Sequence, residues 1–216
     1  MTQLLQEERK KTAAERVLEA ARRMFLAHGF SGATTDMIQR EAGVSKATVY
    51  ACYPNKEALF EAVIAEACAE LMARFDAIVP VPGQIEATLT NIGRTYLDIA
   101  LSPTGLALYR TVVAEAPRFP HLARTFFLAA PRVSATRVAE QLMRAAASGE
   151  LDLHSIGVEA AATVFIGLLR GEAQMECLTH PDAQPSAARV DEWVRLAVTT
   201  FLRAYGQPGN PNLLAR

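Results

Sequence analysis

Residues 35–54, TDMIQREAGVSKATVYACYP, constrain the chain more than any other stretch. Two short runs with helical apolar spacing flank one glycine. The pattern predicts helices over residues 35–41 and 45–52, with the chain turning sharply at Gly43 in a left-handed conformation. Ile38, Ala42, Val44, Val49 and Cys52 are the apolar positions, expected to meet across the turn and bury the pair against a third helix. Ser45 is placed to cap the second helix, its hydroxyl accepting an orphan backbone N–H. Lys46, Ala47, Thr48 and Tyr50 then lie on the open side. A small, polar, singly charged helix face of this kind suits a DNA major groove.

The flanking sequence extends the same unit. Val17, Leu18, Ala21, Met24 and Phe25 recur at the spacing of one buried helix face, which predicts a helix over residues 12–28 stopped by Gly29, with Phe30 plugging the small core. Thr34 is the expected cap of the next helix and Thr35 its first residue; both hydroxyls, with the helix N-terminal amides, could hold a phosphate. Asn55 is expected to cap a long helix running to about residue 78, whose stripe is Leu59, Phe60, Val63, Ile64, Ala67, Leu71 and Phe75. That helix reads as a rod joining two domains, ended by the prolines at 80 and 82. Further helices are expected over residues 84–101, 104–116, 120–130, 131–148, 155–178 and 186–205, and nothing alternates with period two long enough to be a strand. Residues 1–11 read as a charged flexible arm and 206–216 as a flexible tail.

The formal net charge is −1, so a uniformly basic nucleic-acid binder is excluded. The charge is uneven: residues 1–60 carry nine Lys and Arg against seven Asp and Glu, a net of +2, leaving −3 for the rest. Cys52, Cys68 and Cys177 are too scattered for a metal site or a disulfide framework and read as reduced thiols. No secretory signal is visible, and the longest apolar run, residues 160–169, is far short of the ~20 residues needed to span a bilayer. A cytoplasmic protein without cofactor or metal is expected. His28, His121, His154 and His180 are isolated, and no hydrolase, nucleotide or metal-protease motif is present. Glu115, His121 and Asp152 could be imagined as an acid–base set, but a helix end or a solvated face accounts better for each, so no catalytic residue is expected.

The stretch GATTDMIQREAGVSKATVYACYPNKEALFEAVI resembles the DNA-binding segment of the TetR/AcrR family of bacterial transcriptional regulators. The likeness rests on a Thr pair opening one helix, an A-G-V-S turn, a K-x-T-x-Y recognition helix and an N-K-E-x-L-F entry to a long helix. It covers about residues 12–70. Two positions depart: Gln39 stands where a small Ala is usual, and Cys52 where His or Tyr often meets a phosphate. The resemblance implies an all-α chain of nine to ten helices. A helix-turn-helix DNA-binding domain over residues 12–58 would precede an effector-binding and dimerisation domain over 59–205. It further implies that Thr34, Thr35, Thr48, Tyr50 and Lys56 position the DNA backbone, while Ser45, Lys46 and Ala47 lie nearest the bases, with Asn55 alongside at the entry to the long helix. Lys56 at a helix start opposes the helix dipole, which makes sense if a phosphate is its partner.

One recognition helix covers few base pairs, so a two-fold dimer reading half-sites about 34–36 Å apart is expected. The last two helices offer the dimer surface: Val164, Leu168, Gly171 and Met175 on one, Val190, Trp193, Val194, Val198 and Phe201 on the other. The resemblance places a ligand cavity among the helices after the long one. Candidates are Tyr96, Tyr109, Val112, Val113, Phe126, Phe127, Met143 and Phe165, a lining that favours a small apolar or aromatic effector. The expected function is a homodimeric repressor released from a palindromic operator by that effector. The alternative is a helical protein-interaction module that does not bind DNA specifically.

Overall fold

The computed structural model describes residues 11–79, 83–180 and 184–207. The arm over residues 1–10, the proline stop at 80–82, the tail from 208 onward and the side chain of Leu71 lie outside the described residues. The elements are α1 (Ala13–Gly32), α2 (Thr35–Ala42), α3 (Lys46–Cys52), α4 (Lys56–Asp76), α5 (Ile85–Ala100), α6 (Pro103–Glu115), α7 (Pro120–Ala129), α8 (Pro131–Ala147), α9 (Val158–Thr179) and α10 (Ala187–Tyr205). The all-α expectation holds: among the described residues the only extended pairing is an isolated bridge between Leu151 and Gly206. That bridge corrects one boundary. Residues 206 and 207 do not belong to a loose tail, since Gln207 N donates to Glu150 O at 3.1 Å and Asp152 N to Tyr205 O at 2.8 Å.

The chain divides into two compact units. The first holds the described parts of Met1–Ala67 together with Thr111–Phe126; the second holds those of Cys68–Arg110 and Phe127–Arg216. The first unit therefore reaches past residue 58, where the sequence suggests a boundary, and takes in a segment from mid-chain.

In the first unit α1 begins on a capping box: Thr12 Oγ1 accepts from Glu15 N at 3.2 Å, and Glu15 Oε2 accepts from Thr12 N at 2.7 Å. The helix does not stop at Gly29. It kinks there, with Gly29 at φ 70°, and resumes to Gly32. The kink turns Phe30 fully inward, as expected. Its ring lies 5.7 Å from Phe25, 5.1 Å from Phe60 and 4.8 Å edge-on from Phe119. Val17, Ala21, Ile38, Ala42 and Val49 complete this core, while Leu18, Met24, Val44 and Cys52 are half-buried. Each fully buried aromatic ring contributes about 1.5–3 kcal/mol of burial, which matters in so small a core.

In the second unit α5, α8, α9 and α10 pack through Leu89, Ile92, Leu97, Val138, Leu142, Phe165, Leu169, Val198 and Phe201. Gly93 permits the close approach of α5: a Cβ there would lie 3.0 Å from both Leu169 Cδ2 and Val194 Cγ1. At the α9–α10 surface Arg189 reaches Glu172, Glu176 and Glu192 at 2.8, 3.2 and 2.9 Å. Its guanidinium also sits 4.9 Å over the Trp193 ring.

Candidate nucleic-acid interface and ligand cavity

The local chemistry of residues 34–55 forms as the sequence predicts. Thr34 Oγ1 caps α2 by accepting from Met37 N at 3.2 Å. Gly43 closes α2 in the left-handed region at φ 62°, a conformation that costs a residue with Cβ about 1–2 kcal/mol. Ser45 Oγ caps α3, accepting from Thr48 N at 3.1 Å and lying 2.8 Å from Thr48 Oγ1. Asn55 Oδ1 caps α4, accepting from Ala58 N at 2.7 Å. These caps fix where α3 begins and which side it shows. Lys46 and Ala47 are exposed, and Tyr50 is 46% exposed although it is large and aromatic. Thr35 and Thr48 are half-buried.

Asp36 ties the two helices of the motif together. Its carboxylate holds Lys46 Nζ at 3.0 Å, and that hydrogen bond, with the attendant charge, raises the lysine pKa. Gln39, at the position where the resemblance leads one to expect alanine, reaches the same Oδ1 at 3.4 Å. Tyr53 is half-buried, and burial pushes its hydroxyl pKa up; it packs rather than projects.

Lys56 requires a correction. Its ammonium turns inward, donating to Phe30 O at 2.9 Å and Ala33 O at 3.2 Å, and sits 4.5 Å over the Phe30 ring. The partial negative charge of these carbonyls and of the ring face is its counter-charge. The cation at this helix start is explained by the fold, without a phosphate. Glu115 has a comparable place: its carboxylate accepts from Ser31 N and Ser31 Oγ, each at 2.8 Å. Arg118 Nη1 adds a bond to Ser31 Oγ at 3.2 Å. The bond spans 84 residues and gives Glu115 a structural role within the first unit. Asp152 accepts from His154 N at 3.1 Å, as a turn residue does.

The second unit contains a cavity of about 910 Å³ lined by α6, α7, α8 and α9. Three of the eight expected residues line it: Tyr109, Phe127 and Met143. Tyr96 and Phe165 are instead core, 6% and 0% exposed, with Phe165 edge-on to Phe201 at 5.3 Å. Val112, Val113 and Phe126 belong to the first unit. The resemblance places the cavity among these helices, and apolar character alone does not separate a cavity wall from a filled core. The lining also includes Glu140, Thr163, Ile166, Arg170, Gln174 and Leu178. No sequence motif marks these polar residues.

The two expected dimer helices differ. On α9, Val164 and Leu168 are each 39% exposed, whereas Met175, 61% exposed, lines the cavity together with Gly167 and Gly171. On α10, Trp193, Val194, Val198 and Phe201 are 4%, 1%, 2% and 0% exposed and belong to the core of their own chain, while Val190 is half-buried. The apolar stripe of α10 is its inward face; its outward face carries Leu196, 46% exposed.

Both units match known families. Residues 17–63 match the bacterial regulatory proteins of the tetR family, and residues 87–207 match the C-terminal domain of AefR-like transcriptional repressors. The chain belongs to the TetR family, whose members are DNA-binding transcriptional regulators and not enzymes. It is 27% identical over 187 residues to the HTH-type transcriptional regulator SrpR of Pseudomonas putida, covering 84% of this chain and 85% of the relative. Among solved structures, the Flavonoid-responsive Regulator FrrA is 31% identical with a TM-score of 0.74, covering 91% of this chain and 98% of that one. A TetR-family regulator from Mesorhizobium loti has the same fold, with a TM-score of 0.82 at 22% identity over 90% of this chain and 97% of that one. No helix among the described residues is long and apolar enough to cross a membrane.

Proposed function

We propose that the chain is a homodimeric cytoplasmic repressor that binds a palindromic operator and releases it when a small apolar or aromatic effector enters the cavity of the second unit. The observation that carries this reading is the 910 Å³ cavity, mostly apolar in its lining, in a chain that also holds a complete helix-turn-helix. Such a cavity has no purpose in a DNA-binding rod and is the right size for a small molecule. The likeness to a regulator described as flavonoid-responsive supports an aromatic effector.

On this reading Ala47 and Lys46 lie nearest the bases, with Lys46 exchanging Asp36 for DNA. Thr34, Thr35, Thr48 and Tyr50 meet the phosphate backbone; Ser45 and Asn55 act as caps that aim these groups, and Lys56 anchors the frame. The partner surface is the exposed side of α9 at Val164 and Leu168, joined by the outward face of α10; Gly171 and Met175, expected on the same surface, line the cavity instead. Effector binding shifts the equilibrium only by its differential affinity for the DNA-competent and DNA-released states.

The test is fluorescence anisotropy with wild type and Tyr50→Ala. The variant, changed at an exposed ring, should fold normally and bind operator and random DNA more weakly alike. Operator binding as tight as wild type would remove this docking. Salt-independent DNA association, or none, would favour the protein-interaction module instead. A Val164→Glu, Leu168→Glu double variant should sediment as a monomer.

A further inference from the structure

We infer that the effector is an aromatic oxyanion, an aromatic carboxylate or an acidic phenol, whose negative group is bound by Arg170. This rests on the reading of the cavity as the effector site and adds the charge that the site selects.

Arg170 is half-buried on α9 and lines the cavity. Its Nε donates to Gln174 Oε1 at 2.8 Å, and its guanidinium lies 5.6 Å from the Tyr109 ring centre. No carboxylate pairs with it among the described residues, and its two terminal nitrogens have no hydrogen-bond acceptor there. The other charged groups of the lining are accounted for. Glu140 accepts from Arg137 at 3.2 Å, and Arg132 and Glu159 are exposed at the starts of α8 and α9.

A half-buried cation against an apolar wall is costly unless a counter-charge arrives. The guanidinium fork is already oriented: Gln174 fixes Nε and Tyr109 lies across its face, so Nη1 and Nη2 are the groups left to bind. A planar fork matches a carboxylate in two parallel hydrogen bonds and a phenolate in one or two. Tyr109, Phe127 and Met143 supply the wall against which a ring packs. The cavity thus asks for a flat apolar body carrying one anionic oxygen group, which neither a neutral hydrocarbon nor a free inorganic anion satisfies.

The test is isothermal titration calorimetry of the full-length protein with three probes: a naphthalene carboxylate, its neutral carboxamide, and naringenin as the acidic phenol. The carboxylate or the phenol should bind at least about tenfold more tightly than the carboxamide, and which of the two does so identifies the source of the oxyanion. Arg170→Met should remove that preference, weakening oxyanion binding far more than carboxamide binding. Arg170→Lys, which keeps the charge and loses the fork, should retain part of it and serves as the variant if the methionine protein is poorly folded. Equal binding of carboxylate, phenol and carboxamide by wild type overturns the inference, as it would if a second copy of the chain already neutralised Arg170. An oxyanion preference that survives in Arg170→Met also overturns it. Failure of all three probes to bind overturns it too, while anisotropy on operator DNA reports separately whether the chain is a DNA-binding regulator.

Discussion

The first unit presents α3 on a frame of capped helix ends, whereas the second packs apolar helix faces beside a cavity. In the first, Thr12, Thr34, Ser45 and Asn55 each close a helix end. Lys56 holds two carbonyls across 26 and 23 residues, and Glu115 holds Ser31 across 84. The second has such bonds too, Ile85 N to Glu150 Oε1 at 2.9 Å, Arg110 Nη2 to Cys177 O at 2.8 Å and Arg94 to Asp191 at 2.7 Å, but the Leu, Ile, Phe and Val side chains of α5, α8, α9 and α10 fill its core. Directional bonds fix positions, which suits a surface that must present α3 at one angle. Non-directional packing tolerates rearrangement, which suits a wall that must accommodate a guest.

The contrast breaks most visibly at Phe30. Phe30→Ala leaves a hole among Phe25, Phe60 and Phe119 and should cost about 3–5 kcal/mol in urea denaturation, with loss of DNA binding. Calorimetry should still find ligand binding in the second unit. Concerted loss of both activities would mean that the two units do not behave separately.

Lys56→Met comes next. It strands the carbonyls of Phe30 and Ala33 and should destabilise the fold by about 1–3 kcal/mol. If instead Lys56 served only a phosphate, stability would stay constant and the salt slope of DNA binding would fall by about one.

The two kinds of glycine sharpen the comparison inside the second unit. Gly93→Ala forces its Cβ against Leu169 and Val194, and overpacking should outweigh the helix-propensity gain for a net loss of about 1 kcal/mol. Gly167→Ala meets open space and should raise the thermal midpoint of dilute protein through a gain of about 0.5–1 kcal/mol.

The last effect vanishes at neutral pH and lies at Cys68, where burial pushes the thiol pKa from 9.0 to about 11. The fold favours the neutral thiol, so its contribution is intact below pH 9.0 and is lost as pH rises towards about 11, because the unfolded chain ionises first. Cys68→Ala should flatten that part of the stability profile, and a pH-stability curve unchanged by the substitution would contradict the shift.

Local chemistry was legible in the sequence. The caps at Thr34, Ser45 and Asn55 and the turn at Gly43 are set within three or four residues, and every helix after α3 lies within a few residues of its expected span. The Thr12–Glu15 capping box carried its T-x-x-E signature and could have been read. What the sequence does not carry is the direction a face takes once helices pack. The α10 stripe of Trp193, Val194, Val198 and Phe201 has the same spacing whether it meets its own core or a partner. Lys56 looks like any exposed lysine at a helix start, and the carbonyls it binds lie 26 and 23 residues away. The sequence shows that Arg170 carries a charge, but its place on a cavity wall appears only once α8 and α9 pack.

The central claim, that the first unit docks a two-fold dimer on DNA, is tested most directly by anisotropy of DNA from upstream of the protein's own gene, titrated at two salt concentrations. Saturable binding that weakens with salt, at two chains or a multiple of two per site, is the predicted result. Binding no tighter than on random DNA, repeated across a genome-wide selection of fragments, would contradict it.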